Sequence, residues 1–320
     1  SGFSHFMILT SKQTADEPEK SGGYDLGETD TATILFFIKN LTMNKKVSLI
    51  ITLLCGALTA CSSDSDDSGI QVKPDDPVEN VLFFDDFSTF DNSVWTKETH
   101  EPGWTNQELQ AYEPGQVKVG KDGSKSVLML TAEWKNGRIV SGRVNSKGKK
   151  SFKYGTISAS IKLPETANGL WPAFWMMGDN DKEWPACGEI DIMEMGDKEG
   201  IATGTASRRV NTAIHYGPTP ASHEQQYHAS AVSTDLQDGQ YHTYTLTWDE
   251  SKAIISIDDK PFHSFDIKDN PYFHDKFFIL FNLAVGGTFT GITDASGVTA
   301  LKKGDKATMY VDWIKIINHN

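Results

Sequence analysis

The chain is short of basic residues, of cysteine and of helical patterning. Its 320 residues hold 30 Lys and Arg against 43 Asp and Glu, a formal net charge of −13. A field of that sign repels phosphate backbones, so no nucleic-acid partner is expected, and strongly sulfated or uronic-acid polymers are disfavoured. The three cysteines, Cys55, Cys61 and Cys187, are too few for a disulfide scaffold. No apolar run reaches the ~20 residues of a transmembrane helix. No apolar stripe at helical spacing lasts longer than a turn or two, and there is no internal repeat. The hydrophobic share of 38% and charged share of 23% exclude a collagen, a coiled coil or a wholly disordered chain. The length allows one large domain or two small ones.

What is present begins near the N-terminus. Lys45 and Lys46 precede an apolar run at 47–58, the length of a signal-peptide core. The run ends Leu58-Thr59-Ala60-Cys61, which resembles a bacterial lipobox, with Cys61 as the lipidated first residue. Met43 is then the natural start, residues 1–42 an upstream leader foreign to the native protein, and 43–60 the signal peptide. Residues 61–77 are rich in Ser, Asp and Pro and read as a flexible acidic tether. Acids directly after a lipidated cysteine resemble the tag that sends some Gram-negative lipoproteins to the cell surface; a merely solvated linker is the alternative. The expected location is the outer membrane, exposed at the cell surface, with membrane contact through lipid alone. Cys187 is then left without an intramolecular partner.

Residues 78–320 form the expected folded domain, all-β in pattern. In 154–163, Ile157, Ala159, Ile161 and Leu163 alternate with Thr156, Ser158, Ser160 and Lys162. Tyr244, Leu246 and Trp248 repeat the pattern, and 127–134, 253–257, 277–284 and 309–317 are further β-rich runs. Asn136-Gly137 and Gly286-Gly287 mark turns. So many strands in one block predict a two-sheet sandwich with a large core. Trp104, Trp171, Trp175 and Trp184 lie on or near segments rich in Gly, Pro and Asn. Each is either a core residue or a platform for the C–H face of a sugar ring.

The segment Gly188-Glu189-Ile190-Asp191-Ile192-Met193-Glu194-Met195-Gly196 is the most informative. Residues i and i+2 of a strand share a face, so Glu189 and Asp191 point one way and Ile190 and Ile192 into the core. Glu194 has the wrong parity unless a β-bulge near Met193 adds one residue. All three carboxylates then share a face, a costly arrangement with no basic residue in the segment. A metal site is one reading, although no His adjoins the motif in sequence. Paired carboxylates for acid–base chemistry are the other: glycoside hydrolysis needs a nucleophile and a proton donor, and like charges raise one pKa so that it holds a proton near neutrality.

The hexad Glu189–Glu194 resembles that of glycoside hydrolase family 16 in its bulged, laminarinase-like form, and the resemblance covers most of 81–317. It extends over Trp104-Thr105-Asn106-Gln107-Glu108-Leu109-Gln110, Ser141-Gly142-Arg143, Tyr154-Gly155, Gly169-Leu170-Trp171-Pro172-Ala173-Phe174-Trp175, Trp184-Pro185-Ala186-Cys187-Gly188, His242-Thr243-Tyr244, Asn282-Leu283-Ala284-Val285-Gly286-Gly287 and Val311-Asp312-Trp313. It implies a β-jelly-roll sandwich of two antiparallel sheets with a concave substrate groove, and a retaining mechanism. Glu189 is then the nucleophile, Glu194 the acid/base and Asp191 the assisting acid. Asn106, Arg143, Trp171, Trp175, Trp184 and His215 are the implied substrate contacts. No cofactor is implied for catalysis; a structural Ca²⁺ is implied at Asp86, Gly123 and Asp312. Where many such proteins carry Trp after the Gly-Gly pair, this chain has Thr288-Phe289, which leaves linkage preference open.

The expected protein is a monomeric endo-β-glucanase acting on β-1,3 or mixed β-1,3/1,4-glucan. An agar-type galactan hydrolase of the same fold and a non-catalytic glycan-binding surface lipoprotein are the alternatives. The second of these predicts loss of a carboxylate, and all three are present. A transglycosylase shares every residue.

Overall fold

In the computed structural model, the structure describes residues 80–302 and 304–319. The expected leader, signal peptide, lipidated Cys61 and tether lie outside the described residues. The strands in chain order are β1 (Asn80–Asp85), β2 (Thr96–Lys97), β3 (Ala111–Tyr112), β4 (Val117–Asp122), β5 (Lys125–Lys135), β6 (Arg138–Ser141), β7 (Arg143–Asn145), β8 (Ser151–Phe152) and β9 (Gly155–Lys162). They continue with β10 (Leu170–Gly178), β11 (Glu189–Met195), β12 (Arg209–Tyr216), β13 (Glu224–Ala231), β14 (His242–Trp248), β15 (Lys252–Ile257), β16 (Lys260–Asp266), β17 (Phe277–Val285) and β18 (Lys306–Asn318). One short helix, α1 (Lys198–Thr203), follows β11. No helix among the described residues is long and apolar enough to cross a membrane.

The strands form two sheets. One runs β16-β15-β14-β9-β18-β5-β6-β3, with β1 on β18 and β4 on β5; the other runs β13-β12-β11-β10-β17-β7-β2, with β8 on β17. Pairing is antiparallel except for the two-residue β3–β6 contact. The fold is a β-jelly-roll sandwich. Alternation dictates which faces meet: Ile157, Ala159 and Ile161 of β9, and Tyr244, Leu246 and Trp248 of β14, are fully or almost fully buried. They pack in one core with Ile190 and Ile192 of β11, Phe174 and Met176 of β10 and Phe281 of β17. Asn136 and Gly137 both take positive φ, 53° and 80°, as a two-residue hairpin between β5 and β6 requires. On the opposite face of β9, Ser158 is also buried; its hydroxyl bonds that of Thr245 on β14 at 2.9 Å.

β17 is buried along all nine residues. One face belongs to the core and the other is covered by the site, which explains a nearly unbroken apolar strand interrupted by a single polar residue, Asn282.

The expected calcium positions lie on three segments. Asp86 follows β1, Gly123 lies in the β4–β5 turn and Asp312 in β18. Asp312 Oδ2 accepts Lys125 Nζ at 2.5 Å, and Asp86 Oδ1 accepts the Ser88 N–H at 3.0 Å. An ammonium already supplies the positive charge at Asp312 and would repel a second cation.

Candidate active site

The site is built on β11. Glycine is required at both ends of that strand. Gly188 has φ +83° and a Cβ there would sit 2.3 Å from Tyr272 O; Gly196 has φ +94° and a Cβ there would sit 2.1 Å from Leu170 O. Between them the register slips. Phe174 of β10 faces Met193 but Trp175 faces Asp191, and on the other side Ala213 of β12 faces Asp191 while Asn211 faces Glu194. The extra residue is a β-bulge. Ile190, Ile192, Met193 and Met195 are fully buried in the core, and Glu189, Asp191 and Glu194 emerge together on the opposite face.

Cross-strand register then fixes their neighbours. The row through Glu189 holds His215 and Gln225 on one side and Met177 on the other. The row through Asp191 holds Ala213 and Tyr227 on one side and Trp175 on the other. The row through Glu194 holds Asn211, then Ala173, Asn282 and Arg143. The fold thus brings a histidine to a motif that has none beside it in sequence. His215 Nε2 lies 3.1 Å from Asp191 Oδ2 and 3.8 Å from Glu189 Oε1. One ligand atom from each of the three lies within 4.8 Å of the others, close enough to hold a cation or to share a proton; the His215–Asp191 contact already engages the facing atoms.

Burial pushes the Glu189 carboxyl up to about 8, with the Asp191 charge adding to it. Burial also pushes Asp191 and Glu194 well above the carboxylate range. Trp171 acts against this at Glu194, because its Nε1–H donates to Glu194 Oε1 at 2.8 Å. Trp171 is only 8% exposed and stacks on Phe289 with centroids 4.5 Å apart. It is a hydrogen-bonding wall beside Glu194, and Phe289 backs it.

The other expected contacts divide similarly. Trp175 donates Nε1–H to Asn282 Oδ1 at 2.7 Å. The Arg143 guanidinium lies 4.8 Å from the Trp175 ring and 5.2 Å from the Trp104 ring, and its charge is met by Glu98 at 3.0 Å. Trp104 is 52% exposed and lies flat on His100, centroids 3.6 Å apart. Trp184 lies against His223, centroids 4.8 Å apart. Asn106 turns its amide to Glu108 at 3.3 Å. Glu108 is buried and also accepts from Gln110 and Tyr112.

Sequence reasoning missed Glu98, Glu108, Asn282, His223 and Tyr227 as site residues. Asn282 alone carried a signal, as the polar residue in an apolar strand. Tyr227, 66% exposed, shares the Asp191 row only because two strand pairings place it there.

The family model for glycosyl hydrolases family 16 matches residues 105–315. The chain belongs to that family. Among solved structures, the Bacteroides ovatus mixed linkage glucan PUL (MLGUL) GH16 in complex with G4G4G3G product is similar at 69% identity and TM-score 0.73, over 74% of this chain and 100% of that one. The laminarinase catalytic domain from Thermotoga maritima is similar at 26% identity and TM-score 0.62, over 76% of this chain and 99% of that one. Glucan endo-1,3-beta-glucosidase A1 from Niallia circulans is 32% identical over 79% of this chain. The chain spans 40% of that relative's length. Family 16 membership accounts for the paired carboxylates without any cofactor.

Proposed function

We propose that the family 16 domain is a retaining endo-β-glucanase that cuts mixed-linkage β-1,3/1,4-glucan internally. The observation that carries this reading is the 69% identity to the B. ovatus protein, whose complex holds a G4G4G3G product. In the proposed mechanism a Glu189 oxygen attacks the anomeric carbon while Glu194 gives its proton to the departing glycosidic oxygen. A glycosyl ester on Glu189 results. Glu194, now ionised, takes a proton from water, whose oxygen attacks the same carbon and frees the Glu189 carboxylate. Burial raises both carboxyls, which suits Glu194 as the group that holds a proton near neutral pH, whereas Glu189 ionises against it to attack. Trp104 and Tyr227 offer open ring faces on opposite sides of the carboxylates, suited to sugar stacking.

Oligosaccharide release from laminarin, barley-type β-glucan, xyloglucan, cellulose, agarose and carrageenan tests the substrate. Barley-type β-glucan should be cut to oligosaccharides. Activity confined to the galactans, or glucose monomer as first product, contradicts the reading. Proton NMR of the first product should show the β-anomer before mutarotation; an initial α-anomer contradicts retention.

Trp171→Phe removes the N–H that favours ionised Glu194. A hydrogen bond to a charged group contributes about 1.5–3 kcal/mol, so the alkaline limb of the kcat/KM profile should move up by roughly one to two pH units. An unmoved limb contradicts Glu194 as the acid.

We also propose lipid attachment at Cys61 and exposure on the outer membrane surface, supported by the Leu58-Thr59-Ala60-Cys61 motif and the acids after it. Cys61→Ala should move the enzyme from membrane to soluble fractions of its host. A wild type already soluble there contradicts the anchor.

A further inference from the structure

A second histidine stands behind His215 and has no part in the proposed mechanism. His223 lies just before β13, half-buried. Its Nε2 is 2.9 Å from His215 Nδ1. The two rings are nearly parallel, 16° between planes and 5.1 Å between centroids, and Trp184 packs against His223 with centroids 4.8 Å apart. Both nitrogens of His215 are therefore engaged, Nδ1 by His223 and Nε2 by Asp191.

A neutral imidazole carries one N–H, so with His215 neutral two proton arrangements satisfy this chain. In one, His223 donates to His215 Nδ1, and His215 Nε2–H donates to an Asp191 carboxylate. In the other, His215 Nδ1–H donates to His223 Nε2, and His215 Nε2 accepts from a protonated Asp191. Burial favours the uncharged form of Asp191. Burial and the neighbouring His215 also keep His223 toward its neutral form, as both arrangements require. An uncharged Asp191 is the donor to His215 Nε2, which is the second arrangement.

We propose that His223 is a positioning residue: by accepting from His215 Nδ1–H it fixes the tautomer whose Nε2 takes the Asp191 hydrogen bond, and so keeps Asp191 uncharged between Glu189 and Glu194. The proposal rests on the division of roles between the two glutamates given above. An ionised Asp191 raises the Glu189 carboxyl and the Glu194 carboxyl. An uncharged one lets Glu189 ionise more readily as the nucleophile. The other groups acting on the two glutamates are His215 on both, Arg143 on Glu189 and Glu108 on Glu194; of these, His215 is the one bonded to His223.

The test compares His223→Phe and His223→Gln with the wild type. Phe keeps the ring but cannot accept a hydrogen bond; the Gln amide oxygen can. His223→Phe should lower kcat on barley-type β-glucan roughly tenfold, about the effect of one unit in the Glu189 pKa. KM should stay within about twofold, and the acid limb of kcat/KM should move up by the same unit. His223→Gln should recover most of the loss. Nitrogen-15 NMR should show His215 protonated at Nδ1 in the wild type and at Nε2 in His223→Phe. Wild-type kcat and an unmoved acid limb in His223→Phe overturn the proposal. So does a Gln variant as impaired as the Phe variant, or a wild-type His215 protonated at Nε2. The NMR reading needs no activity, so it separates failure here from failure of the glucanase reading, which the substrate panel reports.

Discussion

Glu189→Gln and Glu194→Gln should each fold normally and lose nearly all hydrolysis of β-glucan. The two side chains stand on one face because the bulge at Ile192-Met193 restores their parity, and each is asked for a different act. Loss of the proton donor alone costs about 10²–10⁴-fold. Loss of the nucleophile removes the covalent route and should cost at least as much. The variants should separate under azide. A small anion can attack in place of the missing carboxylate in Glu189→Ala and return an α-glycosyl azide. In Glu194→Ala it can only meet the preformed glycosyl ester and return the β-azide. Turnover near wild type in either Gln variant contradicts the assignment, and exchanged azide products reverse the roles.

Glu189→Gln should also stabilise the fold, increasingly as pH rises. Burial sets the Glu189 carboxyl at about 8, against about 4.3 in an unfolded chain. The folded state therefore holds this proton more tightly than the unfolded state. Its contribution is fully present below the unfolded value and is lost as pH rises through about 8. Glutamine carries no such loss. At pH 8 the variant should gain on the order of 2–4 kcal/mol, or roughly 5–10 °C in Tm for a domain of this size. At pH 5 the gain should nearly vanish. A Tm difference that is equal at the two pH values contradicts strained burial of the carboxylate, as does a variant less stable at pH 8.

The parts of the fold legible in the sequence are those governed by local alternation. The β9 and β14 patterns identify their core faces, and Asn136-Gly137 marks a hairpin, because side-chain parity and positive φ are properties of a few adjacent residues. The three carboxylates were legible for the same reason, down to the extra residue their parity demands. What joins them was not. His215 reaches Asp191 through the β11–β12 register, His223 reaches His215 through a loop, and Tyr227 reaches the same face through two pairings. No spacing within one strand encodes such contacts. The aromatic residues show a different limit. Composition could mark Trp104 and Trp171 as exposed platforms or core, but Trp171 is a buried hydrogen-bond donor to the acid whereas Trp104 lies open on His100. The Asp312 position resembled a calcium ligand in sequence, and in the structure its carboxylate meets the side chain of Lys125, 187 residues away.

The central claim is that Glu189 forms the bond to sugar. It is tested most directly by incubating the enzyme with a 2-deoxy-2-fluoro aryl glycoside of a mixed-linkage oligosaccharide and mapping the labelled peptide by mass spectrometry. The account expects one glycosyl unit per chain, ester-linked to Glu189, forming as the phenol is released and absent in Glu189→Gln. A label on Glu194 or Asp191, or phenol release with no covalent adduct in an enzyme that inverts its natural substrate, contradicts it.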